Sequence, residues 1–377
     1  MWRSGCLAVA LALLLAASAL ALTHGGSVAL RTLLLLPDLF PSSPVRPLTL
    51  ATPNPIRDTV AFDYPGGHVE ADVYRPAAEG RHGGFVLLLG VKPFPKRHPA
   101  LVRFADGMAR AGAVVMIPED TNLDAGRLDP AVEQGIEQSF LYLRQQPYVD
   151  AARLGFVGFS VGGSLELVTL EHAPLRDLAG FVNTFGSYYD AEAFLIDVVS
   201  SSIEVDGHQE RWEADPLTRS VLALQVIESL PDPGDRAALS AAFLEGSSPE
   251  RLDLGTLSPA GAAAARLLLR VPRDEVGRLV DALPLALRAR LRAISPSSNI
   301  AALRARLYVM HDVGDHYIPY TQSRELAAAA PPGTLVRSTE FNLFSHVLPD
   351  RPVPLPTLAE QAALLYRHVY SVALEFL

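Results

Sequence analysis

The chain has 377 residues, of which 49% are hydrophobic and 19% charged, and its formal net charge is -9. That hydrophobic share supports a sizeable core and excludes global disorder, and the acidic balance without any basic run excludes a nucleic-acid partner. The single cysteine, Cys6, excludes a disulfide framework, a cysteine zinc site, an iron–sulfur cluster and a cysteine nucleophile in the folded body. From the N-terminus, no Asp, Glu, Lys or Arg follows Arg3 until Arg31, and residues 7–22 are almost all Leu, Ala and Val. Residues 1–30 therefore read as a signal peptide or an N-terminal membrane anchor, and the protein is expected outside the cytoplasm. Ala17-Ser18-Ala19 and Ala19-Leu20-Ala21 offer cleavage sites. The second apolar stretch, residues 33–36 with Leu39 and Phe40, suits an uncleaved anchor lying against the membrane. Both readings stay open.

Residues 31–57 carry Pro37, Pro41, Pro44, Pro47, Pro53 and Pro55 and read as a Pro-rich linker, extended and semi-rigid. Strand-like segments come next. Residues 69–74 alternate in polarity. Residues 85–89, 113–117 and 154–157 are continuous apolar runs closed by Gly90, Pro118 and Gly158; 181–182 and 307–310 follow, and 335–338 is weaker. Such runs suit strands covered on both faces. Helical patterns fall at 101–110, 130–145, 164–170, 322–330 and 358–377. The second of these sets Val132, Ile136, Phe140 and Leu143 at helical spacing. The alternation predicts an α/β fold with a mostly parallel central sheet and flanking helices, its two parts at 58–189 and 296–377. Between 190 and 295 the alternation stops, and this Leu-, Ala- and Arg-rich stretch reads as an inserted helical cap.

Gly158-Phe159-Ser160-Val161-Gly162 fits the pattern G-x-S-x-G. It follows an apolar strand and opens a helical run, the strand–turn–helix setting of a nucleophile elbow. A serine there must sit on a strained tight turn to project its hydroxyl, and the flanking glycines remove side chains that would clash. The competing reading is an ordinary strand–helix turn or a Gly-rich phosphate loop.

From residue 69 to 377, excluding much of the cap, the chain resembles the α/β-hydrolase superfamily, and within it the dienelactone-hydrolase-like and prolyl-oligopeptidase-like serine esterase branch. The segments Ala71-Asp72-Val73-Tyr74-Arg75-Pro76 and Ile294-Ser295-Pro296 carry the resemblance, together with residues 148–155 before the elbow. Dienelactone hydrolases proper use a cysteine where this chain has Ser160. The resemblance implies a Ser, acid, His chain order. His311-Asp312-Val313-Gly314-Asp315-His316-Tyr317-Ile318-Pro319 matches H-G-x-x-D-x-x-V-P except for Asp312 in place of Gly. This makes Asp315 the acid, with Asp312 its rival or a turn carboxylate satisfied by backbone N–H groups. Beyond this motif only His346 and His368 lie downstream. His346 sits in a predicted loop and is the base, whereas His368 falls inside a predicted helix. His311 and His316 read as structural supports.

The oxyanion hole then falls to the backbone N–H groups of Val161, after the serine, and of Val91, in the loop after residues 85–89. Lys92 reads as a solvated loop lysine or as a partner for a substrate carboxylate. The expected activity is cleavage of carboxylic esters or thioesters through an acyl-enzyme, with no cofactor and no metal. The expected partners are a small-molecule acyl ester, with a hydrophobic acyl group suggested by composition alone, and a membrane touched through the N-terminal segment. Acyl transfer on the same triad and a non-catalytic envelope binding protein are the alternatives.

Overall fold

The computed structural model describes residues 23–65, 67–91, 97–246 and 249–377. The strands in chain order are β1 (Ile56–Tyr64), β2 (Gly67–Arg75), β3 (His82–Leu88), β4 (Val114–Asp120), β5 (Val149–Phe159), β6 (Phe181–Phe185), β7 (Ser202–Val205), β8 (His208–Arg211), β9 (Arg306–Asp312) and β10 (Leu335–Phe341). Eight of them form one sheet in the spatial order β1-β2-β4-β3-β5-β6-β9-β10. From β4 to β10 the neighbours run parallel, and β2 is antiparallel to both β1 and β4. The predicted α/β class and mostly parallel sheet are what the chain adopts.

The major helices are α1 (His24–Leu35), α2 (Pro99–Ala111), α3 (Val132–Arg144), α4 (Val161–Leu170), α5 (Ala191–Ser200), α6 (Pro216–Glu228), α7 (Pro233–Phe243), α8 (Pro259–Leu268), α9 (Arg273–Asp281), α10 (Leu285–Ala293), α11 (Tyr320–Ala329) and α12 (Leu355–Phe376). The period-two geometry of the strands explains the layers. Phe85, Leu87, Val157 and Phe181 point to one face and pack on α2 and α12, with Leu101, Met108, Val372 and Phe376. Val86, Leu88, Phe156 and Val182 point to the other and meet Ile136, Phe140 and Leu165. Burial on both faces is why these strands read as continuous apolar runs.

Three segments differ from the sequence expectation. The first, β1, lacks an apolar run because it is the sheet edge, with Ile56 to Thr59 all exposed. The second is the β7–β8 hairpin within the mostly helical cap, where the sequence shows no convincing strand. Asp206 and Gly207 turn it with φ of 50° and 77°, the left-handed pair that a tight hairpin requires. The third is the stretch expected as a spacer. Residues 31–57 are not detached from the body: α1 buries Val28 and Leu35, and Leu48 is buried beyond it in the α2 and α12 layer. Asp38 is buried and ion-paired to Arg46 and to Arg103 of α2. The prolines bend a segment that apolar side chains and one buried carboxylate hold in place.

The apolar run at residues 7–22, on which the signal or anchor expectation rests, lies outside the described residues. Among the described residues no helix is long and apolar enough to cross a membrane.

Because Leu35 is packed rather than solvated, Leu35→Ala is expected to lower the unfolding free energy of the full chain by about 2–5 kcal/mol. Urea denaturation followed by circular dichroism measures this. A change near zero would return the segment to the status of a linker.

Candidate active site

Ser160 stands between the end of β5 and the start of α4, with φ 57° and ψ -137°. A non-glycine residue in the left-handed region is strained. Its own N–H donates to the Phe185 carbonyl at 2.7 Å, which ties the turn to β6. The glycines around it are needed for close approach. A Cβ on Gly158 would run into Gly163 and Glu166, and one on Gly162 into the Leu88 and Leu89 carbonyls. A Cβ on Gly90 would stand 2.8 Å from the Ser160 Cβ. The backbone of residues 90 and 91 therefore abuts the serine from one side, and Val161 opens α4 on the other.

Asp315 follows β9 by three residues and is buried. Its Oδ2 lies 2.6 Å from His346 Nδ1. Its Oδ1 accepts the N–H groups of Tyr317 at 2.7 Å and Ile318 at 3.2 Å. Burial alone would raise its pKa. The charge of His346 and hydrogen bonds from His311 and His346 outweigh that and hold the carboxyl well below the usual carboxylate range. An anionic acceptor fixes Nδ1 as the protonated nitrogen and aims the other nitrogen away from Asp315. His346 Nε2 is buried and makes no hydrogen bond to any described residue. Ser160 and His346 line the same cavity, together with Val91 and Val161. The Ser160 hydroxyl and Nε2 are not hydrogen-bonded to each other.

Asp312 does different work. Its Oδ2 accepts the N–H groups of Leu343 at 2.6 Å and Phe344 at 2.7 Å. Its Oδ1 accepts Gly314 N–H at 2.9 Å and meets Arg351 Nη1 at 3.1 Å. The rival acid thus holds the start of the loop that carries His346. His311 is buried, with Nδ1 at 2.5 Å from Ser323 Oγ and Nε2 at 2.9 Å from the Ile318 carbonyl. His316 Nδ1 lies 2.9 Å from the Glu213 carbonyl. His368 is buried in α12. Lys92 lies outside the described residues.

Five groups around the site have no counterpart in the sequence reading. The Tyr317 ring stacks on His346 at 4.7 Å. Gly186, with φ 64°, presses its backbone against the pair; a Cβ there would lie 3.0 Å from His346 Cε1. A glycine directly after the strand that begins with the apolar pair 181–182 was the available signal for it. Trp212 Nε1 donates to the Asp315 carbonyl at 2.9 Å, and Thr218 Oγ1 to that of Tyr317 at 3.0 Å. The cap is thereby fastened to the acid loop.

The fifth is Glu166, fully buried in α4 beyond the elbow. Its Oε1 accepts Leu88 N–H at 3.2 Å, and its Oε2 has no partner among the described residues. Burial raises its pKa well above the ordinary value, opposed by that one N–H. Among the described residues no group of three or more metal-ligating side chains converges.

No protein-family model matches the sequence, and no curated protein is similar to it in sequence. Solved structures are similar in fold. An acylaminoacyl peptidase from Pyrococcus horikoshii superposes with a TM-score of 0.50 at 13% identity, covering 87% of this chain and 42% of its own. A 2,6-dihydroxy-pseudo-oxynicotine hydrolase superposes with a TM-score of 0.50 at 13% identity, covering 88% of this chain and 74% of its own. The chain thus spans well under half of the peptidase's length. These likenesses, with the sheet order and the strand–turn–helix at Ser160, show an α/β-hydrolase fold.

Glu166 yields a pH prediction. In the unfolded chain a glutamate ionises near pH ~4.3. The folded carboxyl keeps its proton to a higher pH, so above that point the native state binds more protons and its stability falls as pH rises. Glu166→Gln removes this loss. Its stability relative to the natural chain should improve with pH between about 5 and 8, by up to ~1.4 kcal/mol per pH unit. Urea titrations across that range test it; a pH-independent difference would mean that Glu166 is ionised when folded.

Proposed function

We propose that the protein is a serine hydrolase that cleaves carboxylic esters or thioesters through an acyl-enzyme. The observation that carries this is the Asp315–His346 hydrogen bond in the cavity that also holds Ser160 on its strained turn. An activated serine needs a base, and the base needs an orienting group.

In this reading the Ser160 Oγ–H bond breaks as Oγ bonds the acyl carbon, and His346 Nε2 takes the proton. The carbonyl electrons move onto oxygen, where the Val91 and Val161 N–H groups meet the charge. When the carbonyl reforms, the bond to the leaving alcohol or thiol breaks and His346 returns the proton to it. Water then repeats the sequence: His346 takes its proton, the acid is released and Ser160 Oγ regains a hydrogen. Asp315 stays ionised throughout and stabilises the imidazolium. Unliganded sites often hold the serine and base apart, and the bond tightens as substrate enters. The buried, unpartnered Nε2 is available for that step. The proposal includes an extracytoplasmic location and membrane attachment or secretion, supported by Arg3 and the apolar run at residues 7–22.

Treatment of the full chain with a fluorophosphonate is expected to add one adduct by intact mass, absent in Ser160→Ala. Asp315→Asn should slow labelling by about three to four orders of magnitude, because it favours the wrong imidazole tautomer. A folded protein without an adduct would reject the hydrolase reading and favour a binding role.

A further inference from the structure

The cavity that holds Ser160 and His346 measures about 460 Å³ and is not confined to the loops above the sheet. Its wall includes Phe85 in β3, Val157 and Phe159 in β5, Met108 in α2, and Val372 and Phe376 in α12. These belong to the layer between the sheet and those two helices. Phe85 pairs in register with Gly155, five residues before Ser160. Phe85 itself is fully buried, but Val157, three residues before Ser160, keeps some exposure to this space, so at ~3.3 Å per strand residue the lining extends roughly 10 Å along the strand from the serine. A sheet–helix layer is ordinarily filled by interdigitating side chains. Here it leaves space continuous with the cavity that holds Ser160.

Two polar side chains in the wall away from Ser160, His368 and Asp38, present neutral or ion-paired groups. His368 Nε2 lies 2.8 Å from Asn183 Oδ1, and its Nδ1 2.9 Å from Thr339 Oγ1. Burial pushes the His368 imidazole down to about 3, so it is neutral at physiological pH. Asp38 lines the wall but is ion-paired to Arg46 and Arg103. A charged or strongly hydrated ligand would lose its water there without compensation. A hydrocarbon chain would not.

We infer that this space takes the aliphatic acyl chain of the substrate, which is therefore a long-chain fatty ester or thioester; this rests on the serine-hydrolase reading. The acyl side is assigned because Val157 and Phe159 precede Ser160 on the same strand. The wall thus begins beside the carbon that Ser160 would hold. The N-terminal segment completes the wall with Leu39 and Pro41.

The test is hydrolysis by the full chain of p-nitrophenyl acetate, butyrate, octanoate and dodecanoate, beside acetate esters of butanol, octanol and dodecanol. The value of kcat/KM should rise along the acyl series by up to about four-fold per methylene and stay flat along the alcohol series. Val372→Phe and Met108→Trp, two independent obstructions of which one folded variant suffices, should lower the dodecanoate-to-acetate ratio by about ten-fold or more. A rise along the alcohol series alone would overturn the acyl assignment. So would a flat acyl series in a protein that forms the Ser160 phosphonate adduct, and that outcome would leave the hydrolase reading standing. Absence of both adduct and turnover would instead remove the hydrolase reading itself, and this inference with it.

Discussion

The architecture of the site depends on one backbone constraint. Ser160 is forced into the left-handed region at the junction of β5 and α4. That conformation is unfavourable for a residue with a Cβ, and the neighbours over-determine it. The Ser160 N–H is held by Phe185 of the adjacent strand. Gly162 brings the start of α4 onto the end of β3, and Gly158 lets the turn fold back over Gly163. Gly90 brings the loop after β3 against the serine side chain. Relaxing the turn would remove the hydroxyl from the cavity and separate the two backbone groups proposed to hold the oxyanion. Glu166 lies buried beneath the turn, where burial raises its pKa and only the Leu88 N–H opposes that.

Two carboxylates on one loop divide the remaining work. Asp315 orients His346, while Asp312 collects two backbone N–H groups from the loop that presents it. Both are buried, and each is satisfied by more than one donor, which is what makes a buried carboxylate tolerable. The cap bonds to the same acid loop through Trp212 and Thr218. Cap position and acid position are thus mechanically linked, and Leu217, Val221 and Leu222 of α6 reach the cavity from above.

Much of this was legible in the sequence wherever a local pattern decided the outcome. The apolar runs marked the strands buried on both faces, and G-x-S-x-G after one of them marked the turn at Ser160. Where strands are exposed or very short, the pattern failed: β1 is an exposed edge, β8 is exposed throughout, and β7 has only four residues. Composition misled at residues 31–57, because prolines suggested an extended spacer while Leu35, Asp38 and Leu48 supplied the contacts that fold it onto α2. The roles of Gly186, Tyr317 and Trp212 depend on contacts across long sequence separations, which no spacing rule reports. The same holds for the cavity. Phe85, Met108 and Val372 each read as ordinary core, and only their arrangement leaves a space under Ser160.

The central claim is that Ser160 receives an acyl group whose oxygen points at Val91 and Val161 and whose chain enters the layer between the sheet and α12. A crystal structure of the full chain carrying a long-chain alkylphosphonate tests it most directly. The account predicts phosphorus on Ser160 Oγ, its free oxygen within hydrogen-bonding distance of the Val91 and Val161 nitrogens, His346 Nε2 beside Oγ, and the alkyl chain running past Val157 toward Phe85. A phosphonate oxygen turned away from those nitrogens, or a chain lying out in solvent, would contradict it.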